Sequence, residues 1–132
     1  MEDLFNSKKS SYDIEKAVAW LNSKGLDSSI HKCAQYVREA IEAGGLSTEG
    51  RPNSAKDYDW FLPMLGFATV PKEGYAPKKG DVVVLQNTST SSEHGHIAMY
   101  NGTQWISDFK QSDFWGGSAY RNKAEHTFFR YI

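Results

Sequence analysis

Two rhythms of apolar residues divide the chain. In the first half, apolar positions recur at helical spacing. Ile14, Ala17, Val18 and Leu21 form one stripe within residues 12–23, with Trp20 beside it, and Lys24-Gly25-Leu26 ends that helix. Cys33, Val37, Ala40, Ile41 and Gly44 then fall at i, i+4, i+7, i+8 and i+11, one inward face of a second helix. Asp27, Ser28 and Ser29 offer side-chain acceptors for its orphan amides, and Gly44-Gly45 stops it. Residues 46–54 read as a loop. Ala55 to Leu65 predicts a short third helix with Trp60, Phe61 and Leu65 facing in, its second half weakened by Pro63.

After Gly66 the period changes to that of strands. Phe67-Ala68-Thr69-Val70 is short and lies near an edge, and Val82-Val83-Val84-Leu85 is a buried strand by its β-branched content. His96 to Tyr100 is a further strand, Asn101-Gly102 a hairpin turn, Gln104 to Phe109 the returning strand, and His126 to Ile132 closes the sheet. Helices first and antiparallel strands after give an α+β class, with N-terminal helices packed on a small sheet.

Composition narrows the picture. A length of 132 residues with 39% hydrophobic and 14% aromatic content supports one domain, residues 1–132, with a real core. Residues 1–11 are polar and predict a flexible N-terminal segment. A net charge of −1 leaves no basic field for nucleic acid. The single cysteine excludes an intramolecular disulfide. The N-terminus shows no apolar signal region and the chain no membrane-length apolar run, so the protein is expected to be made in the cytoplasm without a signal peptide. Oligomeric state is not written in these patterns.

The candidate chemistry centres on Cys33. A thiol in the first turn of a helix meets free amide donors and the positive end of the dipole, which favour thiolate, although free cysteines are often just small buried hydrophobes. A cysteine nucleophile needs a base, and the base an orienting acceptor. His96 opens a strand, and across the Asn101-Gly102 turn its partner falls near position 107 or 108, which makes Asp108 the candidate acceptor and Asp113 the fallback. His94-Gly95-His96 also has the spacing of a zinc pair, but His31 is followed four residues on by Gln35, where a metal site of that type needs an acid. Asp81 reads as a turn cap, Trp105 as core and His126 as structural. Trp115 and Tyr120 are candidates for a substrate groove, and Tyr36, one turn beyond Cys33, for a place beside the site.

Cys33-Ala34-Gln35-Tyr36-Val37, Gly80-Asp81-Val82-Val83-Val84-Leu85, Gly95-His96-Ile97-Ala98-Met99-Tyr100-Asn101-Gly102 and Asp108, in that order, resemble the motifs of NlpC-type and CHAP peptidoglycan amidohydrolases. The resemblance implies a papain-like fold and hydrolysis of amide bonds in wall peptides without a cofactor or metal. It implies Cys33 as nucleophile, His96 as general base, Asp108 as third polar residue, and the Cys33 amide as oxyanion donor, with Ser28 or His31 contributing. A lone catalytic domain of this kind is also similar to type VI secretion amidase effectors, which implies delivery to a target cell's periplasm or wall and a cognate immunity protein. The same residues admit two other readings, a protease or deamidase toxin acting on a protein, and a non-catalytic binding domain of the same fold.

Overall fold

A computed structural model describes residues 12–132; the segment 1–11, expected to be flexible, lies outside the described residues. Among the described residues three α-helices precede the sheet: α1 (Ile14–Lys24), α2 (Cys33–Ala43) and α3 (Tyr58–Leu65), the last preceded by a 3-10 turn at Ala55–Asp57. The strands are β1 (Phe67–Val70), β2 (Val82–Leu85), β3 (His96–Tyr100), β4 (Trp105–Ile106) and β5 (His126–Tyr131). They form one five-stranded sheet in the order β1-β5-β2-β3-β4, with every pair antiparallel. The α+β architecture follows the sequence pattern.

The Asp13 side chain caps α1 by accepting from the Lys16 amide. Its buried stripe is Ala17, Val18 and Leu21, and that of α2 is Val37, Ala40 and Ile41. Both stripes pack onto the sheet face made by Val82, Val84, Ile97, Met99, Ile106 and Phe129. Gly44 closes α2 where a Cβ would lie 2.5 Å from the Tyr12 ring, so only glycine lets the two segments approach. The opposite sheet face, with Val83, Leu85, Ala98, Trp105 and Phe128, is covered by aromatic side chains from the loop after β4, among them Phe114, Trp115 and Tyr120.

Two local expectations change. Trp60 is not inward-facing but 50% exposed, because α3 turns Tyr58, Phe61 and Leu62 to the core instead. The strand after the hairpin is shorter than its composition suggests. Beyond Ile106 the chain bends, with the Ser107 amide donating to the Phe109 carbonyl, and Asp108 to Lys110 runs instead beside Leu26.

Candidate active site

The early end of β4 decides what happens at Cys33. The Tyr100 amide donates to the Asp81 carbonyl, just before β2. By antiparallel alternation the amides of Ile97 and Met99 therefore face the other way, toward β4. Met99 is paired with Ile106, the last residue of β4, so Ile97 is left with an amide on an open edge. That amide is directed at the Cys33 sulfur, as are the amides of Cys33 and Ala34 at the start of α2. The thiol is partly exposed, at the junction of helix N-terminus and sheet edge.

The segment leading into α2 is held from across the molecule. Asp27, Ser28 and Ser29 were expected to cap the helix, yet the residue at the cap position is Lys32 and it forms no side-chain cap bond. Asp108, fully buried, holds the segment before the helix: its Oδ2 accepts from the Ile30 amide (2.7 Å), the Lys32 amide (3.0 Å) and the Ser29 hydroxyl (3.2 Å). Between those donors His31 is held in a left-handed conformation, φ 63°, which costs a non-glycine residue energy that the surrounding bonds offset. Burial pushes the Asp108 carboxyl up, but the Lys32, Ile30 and Ser29 hydrogen bonds outweigh it and leave the group below its ordinary value.

His96 has a different acceptor from the one expected. Its Nε2 lies 2.7 Å from Gln111 Oε1. Gln111 is itself buried and donates through Nε2 to the Asp113 carbonyl, which fixes its amide so that oxygen faces the ring. His96 must therefore donate from Nε2, and a neutral ring then carries its lone pair on Nδ1. The ring stacks against Tyr120, whose hydroxyl donates to the Gly95 carbonyl. Gly116, at φ 79°, lies so close that a Cβ there would sit 2.7 Å from His96 Nε2. Burial holds His96 below its ordinary value, partly offset by Gln111 and the charge of Asp108. Burial likewise pushes the Cys33 thiol up to about 11, against the pull of the three amides and with Asp108 adding to the rise. At neutral pH both groups rest uncharged.

Cys33 and His96 line one open cleft of about 660 Å³, together with Ser29, His31, Lys32, Gly95, Phe109, Gly116, Gly117 and Tyr120. Among the described residues no hydrogen bond joins thiol to imidazole. Apo sites often hold such pairs apart until substrate closes them.

A chain of 42% identity adopts the same fold at a TM-score of 0.84 in the type VI native effector–immunity complex Tae3–Tai3 from Ralstonia pickettii, covering 92% of this chain and 100% of that one. The chain belongs to the Tae3 family of type VI effectors. The selenomethionine form of that complex agrees, at 41% identity, a TM-score of 0.78, and 86% and 98% coverage. No family model and no curated protein matches the chain.

Within this Tae3-family chain, the other sequence candidates separate. His31 lines the cleft, and Ser29 rather than Ser28 accompanies it. Tyr36 packs edge-on against Trp20, and Trp115 against Phe114 and His126, so neither is part of the cleft lining. Tyr120 is. His94 sits in the loop before β3, exposed, with Nδ1 2.7 Å from the Ser54 hydroxyl; it does not share a strand face with His96, which removes the geometric basis of a zinc pair. Asp113 pairs with Arg121 and accepts from the Trp115 and Gly116 amides, shaping the loop over His96. Gln111 carried no signal in the sequence, since nothing about a glutamine past the bend marks it as the partner of a histidine on β3.

Proposed function

We propose that this protein is a cysteine hydrolase cutting amide bonds in peptidoglycan peptides, delivered as an antibacterial effector to the wall compartment of a target cell. The observation that carries the reading is one cleft holding the only cysteine, at a helix start among three amides, and a histidine oriented by a buried amide oxygen. Kinship with an effector crystallised with its immunity protein supports the antibacterial role and a cognate immunity partner for this chain. A cysteine helix packed on the strand that carries the histidine is the arrangement the papain-like NlpC and CHAP resemblance implies, and we read the fold as a member of that class.

In this mechanism Nδ1 of His96 takes the Cys33 proton as Sγ attacks the amide carbonyl, so the resting pair need not be ionised. In this reading the helix-start amides stabilise the tetrahedral oxyanion. The imidazolium, held by Gln111, then protonates the leaving amine as the C–N bond breaks. His96 next removes a proton from water, whose oxygen attacks the thioester and releases the acid and the free thiol. Gln111 takes the orienting place first assigned to Asp108, which acts through the loop before Cys33.

Purified peptidoglycan treated with the protein and analysed by mass spectrometry tests this. The wild type is expected to release new amine and acid ends, Cys33→Ala none, and His96→Ala about 10²–10⁴-fold fewer. Digestion by Cys33→Ala at the wild-type rate overturns the proposal. Losses as large for His94→Ala as for His96→Ala would revive a metal-based reading.

A further inference from the structure

A second concavity, of about 180 Å³, adjoins the cleft and shares Ala34, Gln35 and Asn53 with it. Its remaining walls are Arg38, Arg51, Pro52 and Tyr58. No aspartate or glutamate lines either cavity among the described residues, although acids outnumber bases in the sequence. The main cleft contributes Lys32 on the same side.

Tyr58 adds a donor. Its ring is held in the core, with the residue 1% exposed, while the side chain lines the small cavity. Arg38 and Arg51 line the same cavity; burial pushes the phenol above its ordinary value, while the two guanidiniums pull it down and Glu42 and Cys33 push it up. Arg38 is only loosely engaged elsewhere, 3.7 Å from both Glu39 and Glu42. Glu42 already accepts from Thr48. Arg51 is exposed at the mouth.

We propose that Arg38, Arg51 and Tyr58 form a carboxylate subsite, which binds a free carboxylate of the peptide substrate beside the scissile amide. Two guanidiniums and a phenol donor are a fit for a carboxylate's lone pairs. Arg38 lies five residues beyond Cys33 on α2, about 7.5 Å along the axis at ~1.5 Å per residue, the reach of about two extended peptide residues. The subsite therefore reads a carboxylate roughly two residues from the cut. It rests on the amidase reading for its substrate but not for its test.

The probes are a synthetic wall stem peptide and versions in which each free carboxylate in turn is converted to carboxamide. Binding is measured by calorimetry to the Cys33→Ala protein at low salt, and cleavage with the wild type. One carboxamide version is expected to bind about two- to fivefold more weakly than the acid, the scale of a partly exposed charged pair. Arg51→Gln and Tyr58→Phe, each added to Cys33→Ala, should bring that acid-to-amide ratio toward one. Tyr58→Phe keeps the ring in the core, so a change there is not a folding loss. Equal binding of the acid and every amide, or a ratio that survives both substitutions, overturns the subsite. Wild-type cleavage of all peptides with no acid preference leaves the amidase standing and the subsite fallen; an intact binding preference without any cleavage does the reverse.

Discussion

Two carboxylates, Asp81 and Asp108, are both completely buried in this molecule, at two turns of the same sheet, and they differ in what reaches them. Asp81 meets a cation: Arg130 donates through Nε and a terminal nitrogen at 2.8 Å each, joined by the Tyr75 hydroxyl at 2.7 Å and the Lys78 amide at 3.0 Å. Asp108 meets only neutral donors, the Ile30 and Lys32 amides and the Ser29 and Ser107 hydroxyls. The first ties β5 to the turn before β2. The second ties the loop before Cys33 to the bend after β4. A buried acid is therefore not by itself a sign of chemistry; its donors decide its role. Asp81 locks the framework, and Asp108 sets where the Cys33 thiol stands, while placing a negative charge that disfavours the thiolate.

The largest effect expected from breaking this contrast is on stability. Asp81→Ala leaves the buried side of Arg130 without its anion and frees the Tyr75 hydroxyl and Lys78 amide. Removing one member of a buried pair costs about 3–5 kcal/mol. Thermal denaturation should show a fall in Tm of more than ten degrees, on the order of 3–4 °C per kcal/mol for a domain of this size. Activity per folded molecule at low temperature should be retained. A Tm within two or three degrees of wild type would show that the Asp81 network contributes little.

Asp108→Ala should act the other way, with a larger loss of activity than of stability. Freed from Oδ2, the Ser29–Lys32 loop no longer needs the left-handed His31, and a nucleophile displaced by about 1 Å loses on the order of 10²-fold in kcat/KM. Asp108→Asn keeps an oxygen for the Ile30 and Lys32 amides, so it should restore most of that rate. Loss of the charge should also lower the Cys33 pKa from about 11, read as a shift of the iodoacetamide rate–pH curve toward lower pH. Were Asp108 instead the orienter of His96, Asn would be as damaging as Ala. An equal loss in both variants thus returns the acid to the catalytic triad.

Gln111→Leu sharpens the assignment from the other side. It removes the acceptor for His96 Nε2 and the donor to the Asp113 carbonyl. A neutral ring no longer held to one tautomer should lose about tenfold to a hundredfold in kcat, with KM little changed, while Cys33 alkylation stays close to wild type. An unaltered kcat would remove Gln111 from the mechanism.

Periodicity was enough to read the helices, the strands along the chain and the class, because each element buries one regular face, but not the order in which the strands lie in the sheet. It was also enough to bring Cys33 and His96 forward, since a thiol at a helix start and a histidine opening a strand are local features. What failed was extrapolation along β4. Counting residues across the Asn101-Gly102 turn put residue 107 or 108 opposite His96, but the observed register, Met99 with Ile106 and Tyr100 with Trp105, would bring Phe109 there, and the strand in any case stops at Ile106. The bend that follows sends Asp108 to the Ser29–Lys32 loop and brings Gln111 back to the imidazole. Those contacts span 76 to 79 and 15 residues, and no local pattern encodes them. Trp60 illustrates the same limit: in a helix as short as α3, neighbouring aromatic residues compete for one inward face and the sequence does not say which wins.

The smallest expected effect distinguishes the carboxylates by acid. The Asp108 carboxyl lies below its ordinary value of 3.8 in the folded chain, so between the folded and unfolded pKa values the unfolded state holds more protons than the folded one. Stability from this group is thus fully present above the unfolded pKa and is lost as pH falls through the folded value. Asp108→Asn removes the titration while keeping the acceptor. Its unfolding free energy should therefore decline less steeply than that of wild type below about pH 4, the difference in slope amounting to no more than one proton. Urea titrations of both proteins between pH 3 and pH 6 provide the comparison. Parallel curves would mean that the charge of Asp108 contributes nothing to holding the loop, and that the amide hydrogen bonds alone keep Cys33 at the head of its helix.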